Sequence, residues 1–517
     1  MAEHEALAAA QKDLTGLDVA YGAELDAAQK DLSAERSDLE QLLAFIHEKQ
    51  VSRPQVPRLL KQAYSRLTKL RGSRAEDFWL ATKETGIAAL IERAARALQS
   101  GDMFSLDDAN QASEDAFRDC LELADEPEIA ALMRAGQAQI AALKQDYRRA
   151  AEIYAEAATT PGLRAASQWY YQSERASVLE DLGREFGDNA ALEKAVDLFE
   201  NTALALAPRT ERPDDWAKTQ NCLGRALGVL GQRQRGTWML EKAIRCFEDA
   251  LSERGRERAP LEWAATQNNL GNALGVLAQR QNDTEMLEKS VEAFENALEA
   301  QTQEQTPHNW ATTQNNLGAA LLALGQRKKD AKILKKSVDA YKRVLQEWTR
   351  ERVPLDWATT LNNLGTALRI LGEHRKGPRP LEQAVAAYRS ALSERTRERV
   401  PQDWAMTQNN LGAALQRLGE RQEDPQVLAE AATAYENALQ EWNREQMPIT
   451  WAMTTANLGV ARRTLAEWAH DVEISRQAVA DFEAVAEVFH DASHAQYYEL
   501  AEEQLAKARA VVAGLGG

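Results

Sequence analysis

Ten asparagines occupy two adjacent positions of a pattern that recurs every 47 residues. Asn221, Asn268, Asn315, Asn362 and Asn409 fill the first position, and Asn269, Asn316, Asn363, Asn410 and Asn457 the second; Cys222 and Ala456 break the pairs at the two ends. The chemistry an amide offers is hydrogen bonding. Its oxygen accepts and its nitrogen donates, so it can satisfy a backbone N–H and C=O whatever side chains lie nearby. Asparagine inside a helix costs several tenths of a kcal/mol against alanine, so ten such placements need a reason. Shared ancestry of the repeats explains them poorly, because a position three residues on has diverged to Arg225, Asn272, Ala319, Thr366, Ala413 and Val460. Acid–base, nucleophilic and metal chemistry leave no comparable signal. His490 and His494 stand at i, i+4 without a third ligand, as surface histidines would. No Gly-rich phosphate loop or nucleophile elbow occurs, and the expectation is a non-enzyme with no cofactor and no metal.

The elements that must position these amides follow from the same period. Trp216, Trp263, Trp310, Trp357, Trp404 and Trp451 are spaced by 47 residues, each with a proline three before it and a glycine eight after it. Self-similarity at a fixed period marks a stack of identical supersecondary units. Counting from the tryptophan, Trp263, Leu270, Leu274 and Leu277 form one helical stripe, and Leu287, Val291, Phe294, Ala297 and Leu298 form a second on the next helix. Gly271 and Ala273 flank the first stripe and allow helices to approach closely. Two helices with one apolar stripe each cannot bury both faces alone, so stacked neighbours must complete the core. The proline suits a helix's first turn, where its missing N–H costs nothing. Asp215, Glu262, Asp356 and Asp403 then place negative charge at the positive end of the helix dipole.

Trp, Leu and Gly on the first helix with Ala, Phe and Ala on the second resemble the tetratricopeptide repeat, lengthened from about 34 residues to 47. Asn268-Asn269-Leu270-Gly271 is also similar to the long repeats of kinesin light chains. The resemblance covers roughly 128–490 and implies an all-α, right-handed α-solenoid (superhelix) of tandem helix-turn-helix units. In that family the face carrying positions +2, +6, +9 and +13 lines a concave groove. Similarly placed asparagines of kinesin light chains and of the O-linked GlcNAc transferase form ladders there that hold a peptide's main chain. Carried over, this makes Asn269, Asn316, Asn363, Asn410 and Asn457 peptide contacts. Asn268, Asn315, Asn362 and Asn409 become a secondary, mostly structural ladder. Helices about 8–10 Å apart against a strand rising about 3.3 Å per residue would present one contact per roughly three peptide residues. The competing reading is that one asparagine of each pair bonds to the adjacent repeat and only orders the stack. Position +12 runs Gly228, Gly275, Leu322, Arg369, Gln416, Arg463, and Arg417 adds a charge at +13. An apolar early groove and a basic late one suit an extended segment with a carboxylate or acidic cluster at one end. Alternatively, the basic end is the solvated face of a terminal unit.

The remaining sequence divides into residues 1–50, amphipathic or coiled-coil helices; 51–125, a helical region overlapping a basic segment at 49–74; 126–207, irregular units of the same type; 208–490, six regular repeats; and 491–517, a capping helix and tail. Segment 49–74 holds eight Lys or Arg and no acid; it pairs with acidic surface elsewhere or docks an anionic partner. Net charge is −17 at pH 7, which argues against non-specific binding to nucleic acid or anionic membrane. Three unpaired cysteines and an N-terminus unlike a secretory leader suit a cytoplasmic location. The functional expectation is a protein-interaction adaptor holding a peptide or partner segment in the groove. Its alternatives are a self-associating scaffold that dimerises through 5–49, or a regulatory subunit of a separate enzyme. Deleting residues 1–50 should halve the mass measured by light scattering if those helices dimerise; an unchanged mass removes the homodimer.

Overall fold

The computed structural model describes residues 127–516 except Lys144 and Ser493, so the expectations for residues 1–50, 49–74 and 51–125 lie outside the described residues. All regular structure within that range is helical, arranged as an all-α solenoid of tandem helical repeats. It forms two compact units, one ending at Thr313 and the other beginning at Gln314.

The first unit opens with irregular pairs: α1 (Pro127–Leu143) with α2 (Tyr147–Ala158), then α3 (Ala165–Phe186) with α4 (Asn189–Asp197). A π-helical turn, Leu198–Ala203, joins α4 to the short α5 (Leu204–Leu206). Its cause is legible in the spacing. Phe199 precedes its equivalent Phe247 by 48 residues, whereas Ala203 precedes Ala250 by 47. One extra residue therefore lies between Phe199 and Ala203, and a π turn is how a helix absorbs a single insertion. Phe199 and Ala203 both stay fully buried. Regular pairs follow: α6 (Pro213–Arg233) with α7 (Trp238–Glu253), and α8 (Pro260–Gln281) with α9 (Thr284–Ala300). The division between units falls inside α10 (Pro307–Lys328). The second unit continues with α11 (Ala331–Glu347), α12 (Pro354–Glu373), α13 (Arg379–Leu392), α14 (Pro401–Gln422), α15 (Pro425–Leu439), α16 (Pro448–Ala469), α17 (Val472–Asp491) and α18 (Ala495–Gly514).

Each regular first helix begins at its proline. Between paired helices, Asn282, Lys329, Glu423 and His470 take a left-handed backbone, with φ of 58, 52, 54 and 52°. The aspartate after each, Asp283, Asp330, Asp424 and Asp471, caps the second helix by accepting from its first-turn N–H groups. Reversing direction in so few residues is what packs the two stripes together.

The core of each pair is a ring against a glycine. A Cβ at Gly224, Gly271, Gly318, Gly365, Gly412 or Gly459 would come within 2.6–2.9 Å of the ring of Phe247, Phe294, Tyr341, Tyr388, Tyr435 or Phe482. The apolar stripes fall where the 3.6-residue periodicity places them, with one adjustment. All six repeat tryptophans are only half-buried, and five lie under an arginine of the preceding linker: Arg209, Arg256, Arg350, Arg397 and Arg444, 4.8–6.0 Å from the ring centroids. At the last repeat Arg462 replaces the stripe leucine and donates to both oxygens of Asp481 at 2.9 and 2.7 Å. α18 then covers the end of the stack with Leu505 and Ala508 against Ala478 and Phe482.

Gly365→Ala, whose Cβ would meet Tyr388 at 2.7 Å, should destabilise the protein by about 1–3 kcal/mol through overpacking. Gly228→Ala, with nothing within 4 Å, should stabilise it by up to about 1 kcal/mol through helix propensity. Urea midpoints of the two variants check the opposite signs.

Candidate functional site

The amide pairs ride on the first helices of the regular repeats, flanked by buried residues at +3 and +7. At +3, Thr219, Thr266, Thr313, Thr360, Thr407 and Thr454 are all buried. Four of them, Thr219, Thr266, Thr360 and Thr407, donate to the carbonyl one turn back at 2.8–2.9 Å. Their oxygens also serve the preceding repeat: Thr219 accepts from Trp169 Nε1 at 2.9 Å, and Thr407 accepts from the buried Arg395 at 3.0 Å. Positions +5 and +6 follow this row of polar nodes on the same helix.

At the seam between repeats the structure brings the two asparagine rows together. In the first unit Asn269 Nδ2 donates to Asn221 Oδ1 of the preceding repeat at 3.2 Å. The Thr313 hydroxyl donates its one proton to the buried Gln301 Oε1 at 2.7 Å and lies 3.3 Å from Asn268 Oδ1. In the second unit Asn410 Nδ2 donates to Asn362 Oδ1 at 3.1 Å, and Asn362 Nδ2 to Asn363 Oδ1 at 3.4 Å. The second asparagine of one repeat thus reaches the first asparagine of the repeat before it. Asn316 is half-buried on α10. Asn315 and Asn409 each keep a buried Oδ1 that accepts no hydrogen bond.

Asn457 stands apart. It is the exposed member of the +6 row, no side chain among the described residues partners its amide, and it lines a cavity of about 220 Å³ with Met453, Phe489, Tyr497 and Leu500.

The three arginines occupy α12, α14 and α16 of the second unit, each beside a partner. Arg369 pairs with Glu373 at 2.6 Å, Arg417 with Glu420 at 3.1 Å, and Arg463 donates to Gln504 of α18 at 3.2 Å. Arg417 keeps 56% of its side chain exposed, against 23% and 17% for Arg369 and Arg463. A surface pair of that kind is weak and exchanges readily in water, so Arg417 is the most available cation of the three.

Two further sets of arginines, not among the candidates drawn from the sequence pattern, hold the stack. Linker residues Arg209, Arg350, Arg397 and Arg444 reach Glu253, Glu394, Glu441 and Glu487 at 2.5–2.9 Å. Arg280 and Arg421, in the last turns of α8 and α14, donate to the carbonyls of Gln232 and Gly236, and of Gly372 and Gly377, at 2.8–3.1 Å, closing the C-terminal ends of the preceding first helices and the turns that follow them. The signal was present, since the linker arginines share one register and lie 43 or 44 residues before their glutamates.

Burial pushes the Cys246 thiol up to about 12 and raises Cys222 as well, so neither is poised as a thiolate. Among the described residues no cluster of His, Cys, Asp and Glu could hold a metal, and no helix is long and apolar enough to cross a membrane.

A family model described as tetratricopeptide repeat matches residues 310–347, 357–398 and 404–441. Among curated proteins none matches. Among solved structures, BtubC (BKLC) from P. vanneervenii is 23% identical over 49% of this chain and 91% of its own, with a TM-score of 0.34. The apo form of RapI is 15% identical over 74% and 98%, TM-score 0.42. A tetratricopeptide repeat protein from Parabacteroides merdae ATCC 43184 is 13% identical over 64% and 98%, TM-score 0.35.

Asn410→Ala leaves Asn362 Oδ1, in a residue 4% exposed, without its donor. That should cost about 1–3 kcal/mol, reduced by several tenths through alanine's better helix propensity. Asn457→Ala should shift stability by less than about 0.5 kcal/mol. Chemical denaturation of both variants checks the contrast.

Proposed function

We propose that this chain, which carries tetratricopeptide repeats, is a non-catalytic protein-interaction adaptor whose second unit holds an extended partner segment against its first helices. The repeats support the adaptor role. The finer reading rests on the amide row Asn316, Asn363, Asn410 and Asn457, with Arg369, Arg417 and Arg463 on the same set of helices. The observation that carries it is Asn457, exposed and unpartnered where its equivalent Asn410 is tied to the repeat before. The inter-repeat bond spends one N–H of Asn410, and an amide has a second N–H and further acceptor capacity to offer a main chain. Each amide then has two tasks, registering the stack and meeting the ligand. Asn269 offers the same chemistry in the first unit.

Arg417 supplies attraction for a carboxylate or acidic side chain on the segment, an interaction that salt screens. The free cysteines Cys222 and Cys246 suit a reducing, cytoplasmic setting.

Fluorescence anisotropy with a peptide selected from a random library tests the reading. Asn457→Ala should weaken binding several-fold without lowering Tm, and the combined Asn316, Asn363 and Asn410→Ala variant should abolish it. Arg417→Ala should reduce the salt dependence. Binding unchanged in all three removes the amide row as the contact, and a wild-type protein that selects no peptide removes the adaptor.

A further inference from the structure

A second pocket, of about 320 Å³, opens in the first unit between α2, α3 and α4, on helices that carry none of the ten repeat asparagines. Its charged lining is Arg148, Glu152, Arg175, Asp188 and Lys194, over apolar surface that includes Leu179 and Leu182. The charges do not cancel. Arg148 is paired with Asp188 at 2.8 Å, and Glu152 is paired with Arg149, at 3.2 Å. That leaves Arg175 and Lys194, neither with a carboxylate within 4 Å among the described residues.

Arg175 is the unusual one. Its Nη1 reaches only Gln172 Oε1, at 3.4 Å, and its Nε is buried without a hydrogen-bond partner. Burial holds its guanidinium below the usual arginine range. A partly desolvated cation without a counter-charge is unfavourable, and removing it or pairing it relieves the cost. In a chain of net charge −17 this is a local excess of positive charge facing a concave space.

An anion is what such a space lacks, and its class follows from the geometry. Two uncompensated charges match a dianion, and a phosphate monoester carries about −1.5 to −2 at pH 7. The guanidinium fork fits phosphate oxygens two at a time, while the lysine acts as a point charge. The volume exceeds a bare phosphate, and the leucines favour an apolar body attached to it; pockets for small ligands begin at about 300 Å³ with this mixture of lining. We propose that the pocket between α2, α3 and α4 binds a phosphate dianion, held by Arg175 and Lys194, either free or as a small monoester.

Isothermal titration calorimetry on the full chain, with inorganic phosphate and with phenyl phosphate, tests this. Saturable binding of either is the expected result. Tighter phenyl phosphate assigns the monoester as the source, and equal affinities assign free phosphate. Lys194→Gln, at an exposed position that carries no fold risk, should weaken binding several-fold, and Arg175→Gln on the order of 10- to 100-fold. Arg175→Met separates ligand binding from folding. It should raise the Tm of the free protein by removing the unpaired cation, and abolish the rise in Tm that phosphate gives the wild type. No binding of either compound to the wild type, or binding unchanged in both the Lys194 and Arg175 variants, overturns the proposal.

Discussion

The contact on which each repeat depends is an aromatic ring seated against a glycine. Leucine stripes alone would bring two helices to an ordinary separation, because the hydrophobic effect is non-directional and sets no particular depth. Removing one Cβ per first helix lets the ring of the second helix sink to where only a hydrogen fits. Ser290 and Ser337 are thereby close enough to donate to the carbonyls of Gly271 and Gly318 at 2.7 Å. The ring is Phe in three repeats and Tyr in three, so its volume matters more than its hydroxyl. Where tyrosine is used, the buried hydroxyl finds a partner in two repeats: Tyr388 with Thr366 and Tyr435 with Gln416, each at 3.0 Å.

Stacking one repeat on the next is a different problem, solved with polar groups. Apolar faces slide, whereas a hydrogen bond weakens steeply when its geometry is lost. The seam accordingly carries amide-to-amide bonds, threonine nodes, and arginines that close the helix ends of the repeat before. Specifying register in this way ties up some of the side chains best suited to recognising a partner. Asn457 does not take up that duty: Asn409 Oδ1 of the preceding repeat stays without a hydrogen bond, and Asn457 is exposed beside an apolar cavity.

The irregular units show how the same architecture tolerates change. A single inserted residue is taken up as a π turn between Phe199 and Ala203, and both side chains remain in the core. Arg225 occupies a position that is asparagine, alanine, threonine or valine elsewhere and donates to the buried Glu180 at 2.5 Å. These units also contain a half-buried arginine without a carboxylate partner, Arg175, whereas the buried Arg395 of the regular array is held by the hydroxyls of Thr407 and Thr359.

Period and residue type by themselves determined the helix pairs, the proline starts, the small residue needed at each glycine, and the departure from 47 residues near Phe199. These are local consequences of helix geometry, and a repeated pattern states them several times over. What an amide bonds to was not legible. The pattern that marks Asn269 and Asn410 as exceptional is the same whether they face a peptide or the preceding repeat, since the two outcomes differ only in where a neighbouring helix places Asn221 or Asn362. The tertiary structure decided that these amides reach across the seam, that the tryptophans lie half-buried under arginines, and that Arg175 faces a pocket without a counter-charge. Each of those depends on the juxtaposition of side chains tens of residues apart, and no periodicity within one helix encodes it.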